Sequence, residues 1–78
     1  MGPKWADLVK KADEELATMR AGNKGYWTRT IYVDGGHIFC CPDGQVECYE
    51  NLFISHPKNG DARTFKTGYD AERWLVGF

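Results

Sequence analysis

Residues 26–49 decide the fold, and their sequence is YWTRTIYVDGGHIFCCPDGQVECY. The first part, residues 26–33, alternates between two faces and is rich in β-branched and aromatic side chains, which favours a strand. Gly35-Gly36 predicts a two-residue turn, because glycine accepts the positive φ angles that such turns require. Residues 37–41 then return as a second strand. The stretch therefore begins with an antiparallel hairpin.

The predicted turns also set which residues face each other across the strands. The first turn would place Val33 opposite Ile38. Pro42-Asp43-Gly44 predicts a second turn, a three-residue loop that would place Cys40 opposite Val46. Apolar side chains then meet apolar side chains, as one buried sheet face requires. We therefore expect a helix-covered face formed by Trp27, Ile31, Val33, Ile38, Cys40, Val46 and Cys48.

Helices are predicted at both ends of this strand region. Residues 4–20 carry apolar side chains at steps of three and four, which is the period of an amphipathic helix. Near the end of the chain, Thr67 resembles a helix N-cap, and apolar residues from Ala71 to Phe78 follow at helical spacing. The chain therefore places one helix before the strands and a short one after them.

Two further strands complete the predicted sheet. The third runs over about residues 45–55, with a bulge or bend near Glu50-Asn51 where its alternation changes phase. A short fourth strand covers residues 62–67. The order helix, four strands, helix predicts an α+β fold: a four-stranded antiparallel β-meander with an N-terminal and a short C-terminal helix on one face (αββββα).

Length and charge exclude several classes of protein. The chain has 78 residues, with 10 Lys and Arg against 11 Asp and Glu, for a net charge of −1. We expect a single domain over residues 1–78. The balanced charge argues against a strongly basic nucleic-acid binder and against an acidic nucleic-acid mimic. No apolar run approaches the roughly 18 residues of a membrane helix and no signal peptide is visible, so we expect a cytoplasmic protein without a membrane partner.

The spacing of the cysteines and histidines does not favour metal or catalytic chemistry. Cys40 and Cys41 are adjacent on a strand and point to opposite faces, so one zinc ion cannot easily take both. Cys41 and His37 share a face but lie about 13 Å apart by strand rise, too far for a thiolate–imidazole pair. Cys41 and Cys48 point to opposite faces in the predicted register, which argues against a disulfide. We expect free thiols, no metal, no cofactor and no enzymatic activity.

The other face of the predicted sheet is more aromatic than a solvated face should be. We expect Tyr32, Phe39 and Tyr49 to anchor a protein partner, with Glu47 on the rim. Cys41 on the same face could join two copies through a two-fold contact, so a homodimer is a further expectation. On this hypothesis, Phe39→Asp removes partner binding or dimerisation and leaves the fold intact.

A second set of residues favours single-stranded nucleic acid. Tyr26, Arg29 and Lys66 combine an aromatic ring with basic groups, the pattern with which proteins stack on bases and neutralise phosphates. The acidic residues of the chain outnumber the basic ones, which dilutes such a patch. Nucleic-acid binding therefore stands as the alternative to a protein partner.

The last part of the chain, residues 64–75 with the sequence TFKTGYDAERWL, resembles the strand-turn-helix close of small phage-type domains. Together with the short α+β layout, it is similar to small inhibitors encoded by phages and mobile elements, anti-CRISPR proteins among them. The resemblance implies a stoichiometric inhibitor that binds a CRISPR effector complex and blocks target DNA. That family has no common motif, so the resemblance implies no site residue. Many such inhibitors mimic DNA with acidic charge, and this chain, at −1, departs from that pattern.

Overall fold

The computed structural model describes residues 2–19 and 26–76 as an antiparallel sheet packed against two helices. The predicted end of the first helix at residue 20, and Phe78 of the last helix, lie outside the described residues. The α+β meander is confirmed, with five strands in the order β1-β2-β3-β4-β5 rather than four. The elements are α1 (Gly2–Thr18), β1 (Arg29–Val33), β2 (Gly36–Cys41), β3 (Gly44–Tyr49), β4 (Leu52–Pro57), β5 (Arg63–Phe65) and α2 (Gly68–Val76).

Each helix turns part of its predicted apolar stripe towards the core, whereas Trp74 of the predicted α2 stripe is 37% exposed. In α1, Ala12 is 1% exposed, and Met19 just beyond the helix is 4% exposed. The predicted cap of α2 is confirmed, because the backbone N–H of Asp70 donates to Oγ1 of Thr67 at 3.2 Å. Ala71 and Leu75 then face the core from α2. The two helices thus cover the same side of the sheet.

The additional strand comes from the segment that the sequence pattern assigned to one long strand. The chain reverses at Glu50-Asn51, and Tyr49 of β3 pairs with Leu52 of β4. Asn51 has a φ of 63°, a left-handed conformation that asparagine tolerates better than most residues. The phase change that suggested a bulge is therefore a hairpin turn.

The β1–β2 hairpin differs from its predicted register by two residues. Its loop is Asp34-Gly35, so Val33 pairs with Gly36, and Ile31 pairs with Ile38. Gly35 takes a φ of 83°, which explains the glycine at this position. The predicted pairing of Val33 with Ile38 is wrong, but a two-residue shift keeps the same side chains on the same face.

The β2–β3 hairpin differs from its predicted register by one residue. Its loop is Pro42-Asp43, so Cys41 pairs with Gly44 and Phe39 pairs with Val46. Gly44 has a φ of 142°, and a Cβ there would collide with the carbonyl of His56 on the neighbouring strand. Side chains alternate between the two faces with a period of two. This slip therefore moves the β1 and β2 residues that were predicted to share a face with Val46 to the opposite face of the sheet.

The core therefore contains only part of the predicted set. Trp27, Val46 and Cys48 are buried as predicted, whereas the four residues 31, 33, 38 and 40 lie on the uncovered face. Arg29 is the ladder partner of Cys40, and the backbone N–H of Thr28 also donates to the carbonyl of Cys40, at 2.9 Å. Thr28 and Arg29 thus both lie opposite Cys40. This extra residue changes the alternation of side chains before β1, so Trp27 still reaches the core. The core consists of Ala12, Met19, Trp27, Phe39, Val46, Cys48, Phe53, Ala71 and Leu75.

Adjacent residues of β2 provide a test of the face assignment. Phe39 is 1% exposed and packs on Trp27 with ring centroids 5.7 Å apart. We expect Phe39→Asp to unfold the chain, because loss of a buried phenylalanine costs about 3–5 kcal/mol before the carboxylate is desolvated. Ile38→Asp on the uncovered face should cost only about 1 kcal/mol. Urea titration followed by circular dichroism measures both, and equal losses would contradict the assignment.

Candidate functional site

One face of the sheet is covered by neither helix among the described residues, and we call it the open face. Its side chains alternate along the strands with buried ones such as Phe39, Val46 and Phe53. Apolar side chains dominate it, and Leu52 is 39% exposed. A solvated sheet face is normally polar, so the open face is the candidate interaction surface of the described chain. The open face comprises Arg29, Ile31, Val33, Ile38, Cys40, Gln45, Glu47, Tyr49, Leu52, Ile54, His56 and Thr64.

Glu47 lies at the centre of the open face, on the middle strand β3. Its neighbours across the sheet are Ile38 and Ile54. Its Oε1 lies 2.9 Å from Nε2 of His56, and its Oε2 accepts a hydrogen bond from the Tyr49 hydroxyl at 3.4 Å. Burial and then the charge of Glu47 raise the pKa of Tyr49, so the phenol stays a donor. A single carboxylate with two polar neighbours is thus set in an apolar surface.

The structure divides the five residues predicted for the partner-binding face. Glu47 and Tyr49 are on the open face and contact each other. Phe39 is in the core, and Tyr32 and Cys41 pack against it from the covered face. The one-residue slip between β2 and β3 causes this division. Phe39, which is 1% exposed, therefore cannot serve as a surface anchor, and Tyr32 and Cys41 are not part of the open face.

The sequence pattern missed the isoleucines of the open face. It placed Ile31 and Ile38 on the covered face, and it grouped Leu52 and Ile54 with Val46 and Cys48, although Ile54 pairs with Glu47 on the open face. β4 begins Leu52-Phe53-Ile54, which is apolar on both faces, so alternation alone does not orient it. The signal that could have helped is Asn51, since a hairpin turn at that residue aligns Phe53 with the core and Ile54 with the open face.

The residues predicted for nucleic acid are not brought together. Arg29 begins β1 and Lys66 follows β5, at opposite edges of a five-stranded sheet about 19 Å wide. Tyr26 instead donates a hydrogen bond to Oδ2 of Asp43 at 3.4 Å. Burial is the main cause that raises the pKa of Tyr26, followed by its interactions with Cys41 and Asp43. The three residues do not form one binding surface.

Basic and aromatic residues do meet near α2, at positions that were not predicted for nucleic-acid binding. The guanidinium of Arg63 lies 4.6 Å from the ring centre of Trp74, and that of Arg73 lies 5.9 Å from Tyr69. The Trp74 indole N–H donates to the carbonyl of Asp61 at 3.0 Å. These contacts occupy one face of each ring with the protein's own cations. They stabilise the packing of α2 on the sheet edge and leave less ring surface for a base.

His37 and Cys48 are direct neighbours across β2 and β3 on the covered face, a pair that the predicted register had kept apart. Burial lowers the pKa of His37, and the charge of Lys11 lowers it further. Burial raises the pKa of Cys48, as do the charges of Glu15 and Glu47. Both side chains are therefore held neutral, the reverse of the thiolate and imidazolium that a cysteine nucleophile needs.

The predicted absence of a Cys41–Cys48 disulfide rested on a register that is wrong. Both cysteines are on the covered face, but Cys41 pairs with Gly44 and Cys48 pairs with His37, four positions further along the strands. About 13 Å of strand rise separates them, which a disulfide cannot span. The structure has Cys40, Cys41 and Cys48 as free thiols.

The described side chains offer neither a metal site nor a membrane-spanning helix. Within residues 2–19 and 26–76, no three His, Cys, Asp or Glu side chains are grouped so that they could hold a metal ion. None of the helices described in those ranges has the length and apolar character to span a membrane.

Comparison with known protein families, curated proteins and solved structures found no match to this chain. Function must therefore be inferred from the side chains themselves.

The burial of the three thiols predicts two reactivity classes. Cys40 and Cys41 are partly exposed, whereas Cys48 is buried with a raised pKa. We expect two thiols per chain to react with a disulfide reagent in the native state and the third to react more than about a hundredfold more slowly. Urea should release the third thiol. In Cys41→Ser one fast and one slow thiol should remain, and fast reaction of all three in the wild type would contradict the burial of Cys48.

The lowered pKa of His37 predicts a loss of stability in acid. In the unfolded chain this histidine takes up a proton below its ordinary pKa of 6.5, whereas in the folded chain it stays neutral to lower pH. The contribution of His37 to the free energy of unfolding is therefore fully present above this pKa. It decreases as the pH drops further, by up to about 1.4 kcal/mol per pH unit. We expect the free energy of unfolding of the wild type to fall, relative to that of His37→Leu, as the pH is lowered from 7.5 to 5. A pH-independent difference would show that His37 is not desolvated.

Proposed function

We propose that this protein is a non-enzymatic binding protein and that its open face docks on a protein partner. The observation that carries the proposal is the apolar open face around Glu47. Contiguous exposed apolar surface is unfavourable in water unless a partner covers it. Tyr49 and the flanking isoleucines offer the mixture of aromatic and aliphatic contact that interface centres prefer.

The central carboxylate defines the chemistry of the partner. Docking an apolar surface on the open face would desolvate Glu47, which is unfavourable unless a donor or a cation meets it. Its two contacts within the chain, to His56 and Tyr49, satisfy part of its hydrogen-bonding capacity. We therefore propose a partner surface that is apolar with a basic side chain at its centre. Arginine fits best, because its planar guanidinium can bond both carboxylate oxygens.

The same carboxylate argues against two copies meeting face to face. A two-fold axis through the centre of the open face would bring Glu47 of each copy against the other, and two buried like charges repel. The occupant we propose for the open face is therefore a different protein. Single-stranded nucleic acid is less favoured, because its phosphates would meet a carboxylate rather than a cluster of cations.

The narrower form of the proposal concerns what the binding achieves. The resemblance to anti-CRISPR inhibitors implies that the partner is a subunit of a host effector complex and that binding blocks its target. With a net charge of −1, the chain would act by covering a protein surface rather than by imitating the charge of DNA. Such an inhibitor would work in the cytoplasm of the host cell.

Selection of peptides on the immobilised protein tests the proposed partner chemistry. We expect random dodecapeptides displayed on phage to be enriched in Arg or Lys flanked by apolar residues. Binding of the enriched peptides should fall at least about tenfold in Ile54→Glu, which places a charge in the apolar surface. Glu47→Lys should reverse the preference towards acidic peptides.

The matched control is Asp13→Lys, which makes the same charge change at an exposed position of α1. This variant should bind the enriched peptides as the wild type does. Circular dichroism verifies that all three variants stay folded. Absence of enrichment, or equal loss in Asp13→Lys and Glu47→Lys, would overturn the proposal.

A further inference from the structure

His56 is the titratable partner of Glu47 on the open face. Its Nε2 lies 2.9 Å from Oε1 of Glu47, and the side chains of His56 and Glu47 are 37% and 23% exposed. An ionised carboxylate only accepts hydrogen bonds, so Nε2 carries a hydrogen and Nδ1 is the nitrogen that gains or loses a proton. Histidine changes its charge between about pH 5 and 8. The contact therefore has two charge states within that range.

These two charge states differ in what they offer to a cation. With a neutral imidazole, the pair keeps the whole negative charge of Glu47. With an imidazolium, the pair is neutral overall, and a positive charge lies beside the carboxylate. Ile38 and Ile54 flank Glu47 across the sheet, and such apolar surroundings strengthen electrostatic interactions once a partner excludes water. The neutral state of His56 therefore favours an incoming cation.

The other groups around His56 leave Glu47 as its main electrostatic neighbour. The residue directly opposite on β3 is Gln45, which has no charge. On β5, Arg63 pairs with Ser55 of the covered face and lies over the Trp74 ring. Further titratable or charged groups on or beside the open face are Tyr49 of β3, Cys40 of β2, Arg29 of β1 at about 14 Å across three strand spacings, and Lys58 and Asp61 in the loop after β4.

We propose that docking of a basic partner on the open face is coupled to the release of a proton from His56. The inference rests on the proposed function and adds a regulation of the same site. The partner's cation binds Glu47 when His56 is neutral, whereas a protonated His56 forms an ion pair with Oε1 and repels that cation. Because the coupling is reciprocal, a bound cation favours loss of the proton from Nδ1 to solvent. Mild acid then releases the partner, and neutral pH restores binding.

Peptide affinity at two pH values tests the coupling. The probe is an enriched basic peptide without His, Asp, Glu or Cys, acetylated and amidated so that it does not titrate in this range. We expect its dissociation constant for the wild type to rise about five- to tenfold from pH 8 to 5.5. In His56→Gln, whose amide cannot gain a proton, the two constants should agree within about twofold. His56→Lys stays charged at both pH values, so it should show the same flat profile and bind more weakly than His56→Gln.

The matched control is again Asp13→Lys, which changes the charge at an exposed position of α1 and should keep the wild-type ratio of the two constants. Circular dichroism at pH 5.5 verifies that the variants stay folded. Calorimetry at pH 6.5 in two buffers of different ionisation enthalpy gives a second measurement that does not need strong acid. The wild type should release roughly half a proton per peptide bound, and His56→Gln should release none.

The outcomes separate this coupling from the proposed function. Basic peptides that bind the wild type equally at both pH values, or without proton release, would overturn the coupling and leave the proposed function standing. The same pH dependence in His56→Gln as in the wild type would also overturn it. A selection that enriches no basic peptides would overturn both.

Discussion

The pairing of β2 with β3 is the constraint on which the rest of the structure depends. It places Phe39 opposite Val46 and His37 opposite Cys48, and it thereby decides which side of the sheet the helices cover. The pairing is fixed at Gly44, whose positive φ and lack of a Cβ let β3 approach the carbonyl of His56 on β4. A one-residue slip at this point would exchange the core for the open face.

The covered face accepts polar groups as a consequence of this pairing. His37 is 1% exposed and Ser55 is fully buried, and neither the ring nitrogens of His37 nor Oγ of Ser55 has a hydrogen-bond partner among the described protein atoms. Buried groups of this kind reduce the stability of a small domain, whose net free energy of folding is only several kcal/mol. The aromatic contacts of Phe39 with Trp27 and His37 offset part of that loss.

The open face combines a tendency to associate with a feature that limits association between copies. An apolar sheet face would favour stacking of copies, but Glu47 at its centre makes a symmetric face-to-face contact unfavourable. In the proposed function the same carboxylate selects a different protein, one that offers a basic group.

Much of the fold could be predicted from the sequence, because local rules specify it. The helical spacing of α1 and the Thr67 cap of α2 each depend on neighbouring residues alone, and both are confirmed. A turn before β2 is also present, but its loop is Asp34-Gly35, one residue earlier than predicted. The predicted burial of Val46 is also confirmed, whereas Trp27 reaches the core only through the extra residue opposite Cys40 before β1. The candidate site was only partly predicted: Glu47 and Tyr49 are on the open face, whereas Phe39 is not.

The residues alone left the two faces of the sheet undetermined. β2 carries Ile38 and Cys40 on one side and Phe39 and Cys41 on the other, so its alternation fits either orientation. Only the tertiary structure chose between them, through the two-residue loop before Gly44 and the packing of Ala71 and Leu75 of α2 against the core. The sequence by itself determined where helices and strands form, except that it joined β3 and β4 into one strand, because those preferences are local. The choice of face depends on contacts between residues far apart in the chain, and no local pattern records it.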